Sequence, residues 1–187
     1  MSKGIPATTT AMEKDIARQK ARDVLSQFGI VSAPVPIERI IKKHQIVLQY
    51  APFEEDLSGM AYINDGLSII AVNALHPPNR QRFSAAHELG HHLLHADELS
   101  RAVHVDKGTR VLLRDDVASQ GTDPVEVQAN VFAAELLMPI DLLRKAVDED
   151  EVDIDDDSKI DALAKKFKVS ASALRYRLLG LMDKTPA

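Results

Sequence analysis

The sequence contains no cysteine. That excludes a disulfide framework, a thiolate nucleophile, a zinc ribbon and cysteine-ligated iron–sulfur clusters, so any metal chemistry must rest on histidine and carboxylate. A strong excess of one charge is also missing. With 23 Lys plus Arg against 28 Asp plus Glu the net charge is −5, which argues against binding nucleic acid over the whole surface. No apolar run approaches the ~18–20 residues of a membrane span. The opening stretch MSKGIPATTTAMEKDIARQK holds no apolar signal region, so a cytoplasmic protein without a membrane partner is expected. What remains is 187 residues with 45% apolar content, room for one domain or one domain plus a small appendage. Four of the seven histidines, His87, His91, His92 and His95, fall within nine positions.

Residues 1–10 are small, polar and Thr-rich and read as a mobile tail. From Met12 to Phe28 apolar residues recur at helical spacing, with Gly29 as a stop, and a short helix is expected over 37–43 after the rigid Ala33-Pro34-Val35-Pro36 entry. The period then changes. The stretches 46–50, 59–64 and 67–72 are β-branched or aromatic and read as strands, the last two joined by a hairpin turn at Asn64-Asp65-Gly66. Pro77-Pro78 pre-sets a helix over 80–95, the one that carries the histidines. A long connection over 97–122 follows, with a short strand or turn expected near 111–113. Thr122 or Asp123 before Pro124 supplies an N-cap for an apolar helix over 125–138, stopped by Pro139, and a further helix is expected over 141–147. These elements give one domain over 11–147. Eight carboxylates in the ten residues 148–157 read as a solvated acidic hinge, 148–158. Beyond it, residues 159–187 form a helical tail.

His87-Glu88-Leu89-Gly90-His91 is an H-E-x-x-H string inside a segment independently read as helix. Four residues apart, the two imidazoles lie about 40° apart on one face, one turn from each other, so both reach one cation. Glu88 sits on the flank, placed to take a proton from the attacking water rather than to bind the metal. Roughly 0.014 occurrences of the string are expected by chance at this composition. A catalytic zinc needs a third protein ligand and an open position. Asp97 has the spacing of one such motif, but that motif needs glycine at position 94, where this chain has Leu94. His95 has rotated about 80° from His87 and lies two turns away. Glu126 fits best, because a second helix crossing the first brings its carboxylate to the open side of the imidazoles, and Asn130, one turn on, shares that face and can hydrogen-bond a ligating histidine. Glu135 falls on the opposite side of that helix and reads as solvent-facing or structural. For oxyanion stabilisation His104, Tyr62 and Arg110 remain unranked candidates, and either 59–63 or 67–72 is a candidate edge for pairing with a substrate strand.

The segment from Phe83 to His95, FSAAHELGHHLLH, followed by EVQANVFAAELLMP from Glu126 to Pro139, resembles the ImmA/IrrE family of zinc metallopeptidases over roughly residues 30–145. By position, that resemblance implies His87, His91 and Glu126 as zinc ligands and Glu88 as general base. The fold it implies is α+β: a small mixed, zincin-like sheet packed on helices, with a C-terminal helical appendage. It further implies cleavage of helix-turn-helix repressors in transcription regulation and stress response. The rival reading is a DNA- or repressor-binding regulator with a non-catalytic metal site.

The tail from Leu163 to Leu178, LAKKFKVSASALRYRL, has the pattern of a helix-turn-helix. Seven basic against two acidic residues over 159–184 would allow phosphate contacts with DNA. Packing of Leu163, Phe167, Leu174 and Leu178 on the peptidase body is the favoured alternative, and docking of the repressor substrate is a third.

Overall fold

A computed structural model describes residues 7–99, 103–106, 123–150 and 153–182. The expected strand at 111–113, Arg110 and Thr122 lie outside the described residues. Helix α1 (Ala7–Gln27) leads into α2 (Ile37–Lys43), then strands β1 (Val47–Ala51), β2 (Gly59–Asn64) and β3 (Leu67–Asn73). Helix α3 (Pro78–Leu94), the single turn α4 (Ala96–Leu99) and strand β4 (His104–Asp106) follow, and then α5 (Pro124–Leu137), α6 (Ile140–Asp150), α7 (Asp157–Phe167) and α8 (Ala171–Met182). This is the mixed α+β architecture expected. Two helices run longer than their periodicity suggested: α1 starts at Ala7 rather than Met12, and α6 reaches Asp150 rather than Val147, because neither extension contains a proline or glycine to stop it.

The sheet has the order β1-β3-β2-β4, with β1 parallel to β3 and the other pairs antiparallel. The β2–β3 hairpin closes between Asn64 and Leu67, and both turn residues take positive φ, 49° at Asp65 and 78° at Gly66, as the Asp-Gly pair predicts. Neither candidate edge strand is an edge. β3 lies between β1 and β2, and β2 is covered by β4 over Gly59–Ala61, so the open edges among the described residues are β1 and β4. Hydropathy sets which face a strand buries; strand order is set by distant pairing, and β4 comes from 40 residues further along the chain than β2 does at its end.

One face of the sheet packs on α3, which packs in turn on α5, with α1 against α5 on the far side. Enclosed this way, α3 is buried continuously from Ser84 to His92. Its small residues make that possible: a Cβ on Gly90 would stand 3.1 Å from Phe132 Cδ1 and 3.2 Å from Ala129 Cα, so the backbones of α3 and α5 cross at van der Waals distance there.

The tail belongs to the same hydrophobic core. Leu163, Phe167, Val169, Leu174 and Leu178 are buried in one cluster with Leu89, Phe132 and Leu136. Asn79 Nδ2 donates to the Val169 carbonyl (3.0 Å), and Arg177 Nε donates to that of Met138 (3.4 Å). Between α7 and α8 Lys168 takes the left-handed conformation (φ 55°), and Ser170 Oγ accepts from Ala173 N at 3.2 Å to cap α8. Glu135, only 1% exposed, is structural rather than solvent-facing: it pairs with Arg22 of α1 (3.1 Å) and with Arg177 of α8.

Candidate metal centre

The chain places four potential ligand atoms together, one each from His87, His91, His104 and Glu126, all within 4.8 Å of one another. His87 and His91 come from successive turns of α3, and their Nε2 atoms face each other at 3.0 Å. Glu126 arrives from the first turn of α5, whose N-cap is Asp123 (Oδ1 accepting from Val125 N at 3.0 Å) followed by Pro124. A carboxylate in that turn is favoured by the helix dipole. Its oxygens lie 3.4 Å from His87 Nε2 and 3.5 Å from His91 Nε2. The close α3–α5 crossing at Gly90 is what brings the two helices near enough for this contact.

Asn130, one turn after Glu126 and buried, accepts from His87 Nδ1 at 3.0 Å. That bond fixes the tautomer, so the lone pair of His87 Nε2 points at His91 and Glu126. Two imidazole nitrogens 3.0 Å apart need a proton or a cation between them. Ligands of a tetrahedral zinc ion stand roughly 3.3 Å from one another, close to the three spacings here. A donor set of imidazoles and one carboxylate without thiolate suits such a divalent ion.

Glu88 is fully buried beside the cluster. Room for its carboxylate comes from Gly59, where a Cβ would stand 3.1 Å from Glu88 Oε1 and 3.2 Å from the Ala71 carbonyl. His104 is the residue whose place the sequence left open. On β4, opposite Ala61, it spans the site: Nδ1 lies 3.3 Å from Glu88 Oε2, Nε2 lies 2.5 Å from Glu126 Oε1, and its ring stacks on His91 with centroids 3.7 Å apart. Tyr62 is one residue out of phase with Ala61 and so faces the other side of the sheet. His92 Nε2 donates to the Ile69 carbonyl (3.1 Å), and His95 caps the end of α3, so both stand outside the four-atom cluster.

Charge is sharply sorted within the cluster. Burial, then the neighbouring His87 and His104, pushes His91 down to about 2, leaving a neutral ring. Burial also opposes a charged His104, but hydrogen bonds and the charges of Glu126 and Glu88 outweigh it and push that imidazole up to about 10. For Glu126 burial acts against ionisation, yet the hydrogen bond from His104 and the neighbouring imidazoles hold its carboxyl well below the usual range. In the metal-free site the His104 imidazolium thus lies between the carboxyl groups of Glu126 and Glu88, beside the neutral imidazole of His91. Among the described residues no helix is long and apolar enough to cross a membrane.

Similarities to known proteins bear on the fold and the family. A solved structure of a Mycobacterium tuberculosis transcriptional regulator matches 89% of this chain with a TM-score of 0.51 and 17% identity, a likeness of fold, and this chain covers 46% of it. The radiation response metalloprotease IrrE of Deinococcus radiodurans is 31% identical over 121 residues, 64% of this chain. The chain spans about a third (32%) of that relative's length. The peptidase M78 model, described as the IrrE N-terminal-like domain, matches residues 41–179, a span that includes the α3 and α5 clusters and most of the tail. With that match over most of its length, the chain belongs to the IrrE N-terminal-like family of the M78 peptidases.

Proposed function

We propose that the chain is a zinc-dependent endopeptidase of the cytoplasm that cleaves a regulatory protein, a helix-turn-helix repressor being the substrate class. The observation that carries this reading is the convergence of His87, His91 and Glu126 around one point with the buried Glu88 beside it. Family membership and the metalloprotease named among the relatives support it.

In this reading His87, His91 and Glu126 hold the zinc, and Asn130 orients His87. Zinc, when bound, supplies Lewis acidity to a scissile carbonyl and to a water. Glu88 takes the proton from the attacking water and delivers it to the leaving amine. Its burial keeps the carboxylate close, and Gly59 keeps the space free. His104, held protonated between two carboxylates, offers positive charge where negative charge builds on the substrate oxygen. A substrate strand pairs along the edge of β4 that is open among the described residues, next to His104, by β-augmentation.

The decisive variant is Glu88→Gln. It is expected to keep stoichiometric zinc by elemental analysis and to lose cleavage of a repressor encoded nearby. Equal cleavage by this variant would remove Glu88 from the base role. The rival reading, a regulator with an inert metal site, gives Glu88 no task, and DNA contact by the tail has less support because its apolar face is turned into the core.

A further inference from the structure

We propose that the cavity between the β1–β2 loop and β4 receives one substrate side chain, a lysine or arginine, from a peptide paired along β4. The proposal rests on the peptidase reading of the neighbouring site. The cavity measures about 430 Å³ and is lined by Pro52, Phe53, Glu54, Asp56 and Leu57 of the loop and Val105 of β4.

Register connects it to the chemistry. His104 pairs with Ala61, which lies on the same face of β2 as Gly59, the residue that abuts Glu88, so the His104 side chain faces the metal centre. Val105 pairs with Met60 and points to the opposite face, where the cavity lies. A strand added to the edge of β4 that is unpaired among the described residues keeps this alternation. Its side chains beside His104 meet the catalytic groups, and the one beside Val105 meets the cavity.

The loop wall is built rather than incidental. Asn73, fully buried at the end of β3, donates through Nδ2 to the carbonyls of Phe53 (3.4 Å), Glu54 (3.0 Å) and Leu57 (2.8 Å), and its Oδ1 accepts from Phe53 N at 3.3 Å. His76 Nε2 donates to the Glu55 carbonyl at 3.0 Å. One buried amide thus holds both ends of the loop.

The lining names the occupant. Phe53, Leu57, Pro52 and Val105 form an apolar surface for an aliphatic stem. Glu54 and Asp56 are exposed beside it, and among the described residues neither carboxylate is in an ion pair, so two anionic acceptors stand ready for a cationic head.

Two measurements test this. Zinc-loaded full-length chain is given a proteome-derived peptide library and the cut sites are read by mass spectrometry. Lys and Arg are expected to be enriched at one fixed position near the cut, and Glu54→Lys/Asp56→Lys is expected to abolish or invert that enrichment while other cuts persist. Cuts without basic enrichment, or enrichment untouched by the double variant, overturn the pocket and leave the peptidase reading standing. No cuts at all overturn the peptidase reading, and the pocket is then judged by binding. Fluorescein-labelled octapeptides, identical but for one central Lys, Leu or Glu, are titrated into zinc-loaded Glu88→Gln chain by anisotropy. The Lys peptide is expected to bind about fivefold tighter than the Glu peptide. Charge reversal at Glu54 and Asp56 should reverse the order, and Asp153→Lys/Asp155→Lys should not. Absent binding, indifference to the central residue, or an equal effect of the two double variants overturns the proposal.

Discussion

At the scale of single residues, the chemistry hangs on how a few side chains are aimed. Asn130 is buried and spends its oxygen on His87 Nδ1. Asn130→Ala removes the group that fixes the His87 tautomer, and zinc affinity is expected to fall ~10–100-fold. Competition with a chromophoric chelator measures this; unchanged affinity would mean that packing alone orients the ring. Most of this set was legible in the sequence because it obeys helical period: His87 and His91 one turn apart, Glu126 and Asn130 one turn apart. His104 escaped ranking for the opposite reason. Nothing local marks a histidine in a short strand, and its place between Glu88 and Glu126 depends on pairing with β2 far upstream. Gly59 escaped too, since its importance lies in the Cβ it lacks.

At the scale of elements, the site depends on one helix crossing. Gly90→Ala would set a methyl 3.1 Å from Phe132 Cδ1 and 3.2 Å from Ala129 Cα, forcing α3 and α5 apart. The expected cost is ~1–3 kcal/mol by urea unfolding, with weakened zinc binding because Glu126 moves with α5. Gly180→Ala is the control. Its Cβ would meet nothing within 4 Å, so stability should hold or rise by up to ~1 kcal/mol, and zinc binding should not change. Loss of zinc affinity in both variants would dissociate the crossing from the metal centre. Helices α2, α3 and α5 and the hairpin at Asp65-Gly66 were readable from caps, prolines and turn residues. The sheet order was not. A hydrophobic strand looks the same in the middle of a sheet as at its edge until its neighbours are known, which is why the sequence offers β2 and β3 alike as edges, whereas among the described residues the edges are β1 and β4.

At the scale of the whole molecule, the sorted charges of the centre set the pH response of the metal-free chain. His104 is pushed up to about 10 from an ordinary 6.5, so its stabilisation is fully present below pH 6.5 and is lost as pH rises through about 10. His91 is pushed down to about 2, so the unfolded chain binds the extra proton below 6.5 and stability declines as pH falls from there. Glu126, with its pKa lowered, adds to that decline at more acid pH. Unfolding of chelator-treated protein should therefore show greatest stability near pH 6.5, and a steady rise from pH 6.5 to 9 would contradict this account. The composition foretold an acidic molecule but not this local optimum, which needs groups from α3, β4 and α5 in one place. The buried Glu135 has a consequence of its own. Helix α5 presents Glu126 at its start and, on its other side, Glu135 to arginines of the first and last helices. Helices α1 and α8 are thereby clasped to the helix that carries Glu126, so heating should give one calorimetric peak, with calorimetric and van't Hoff enthalpies in agreement, rather than a tail that melts ahead of the rest.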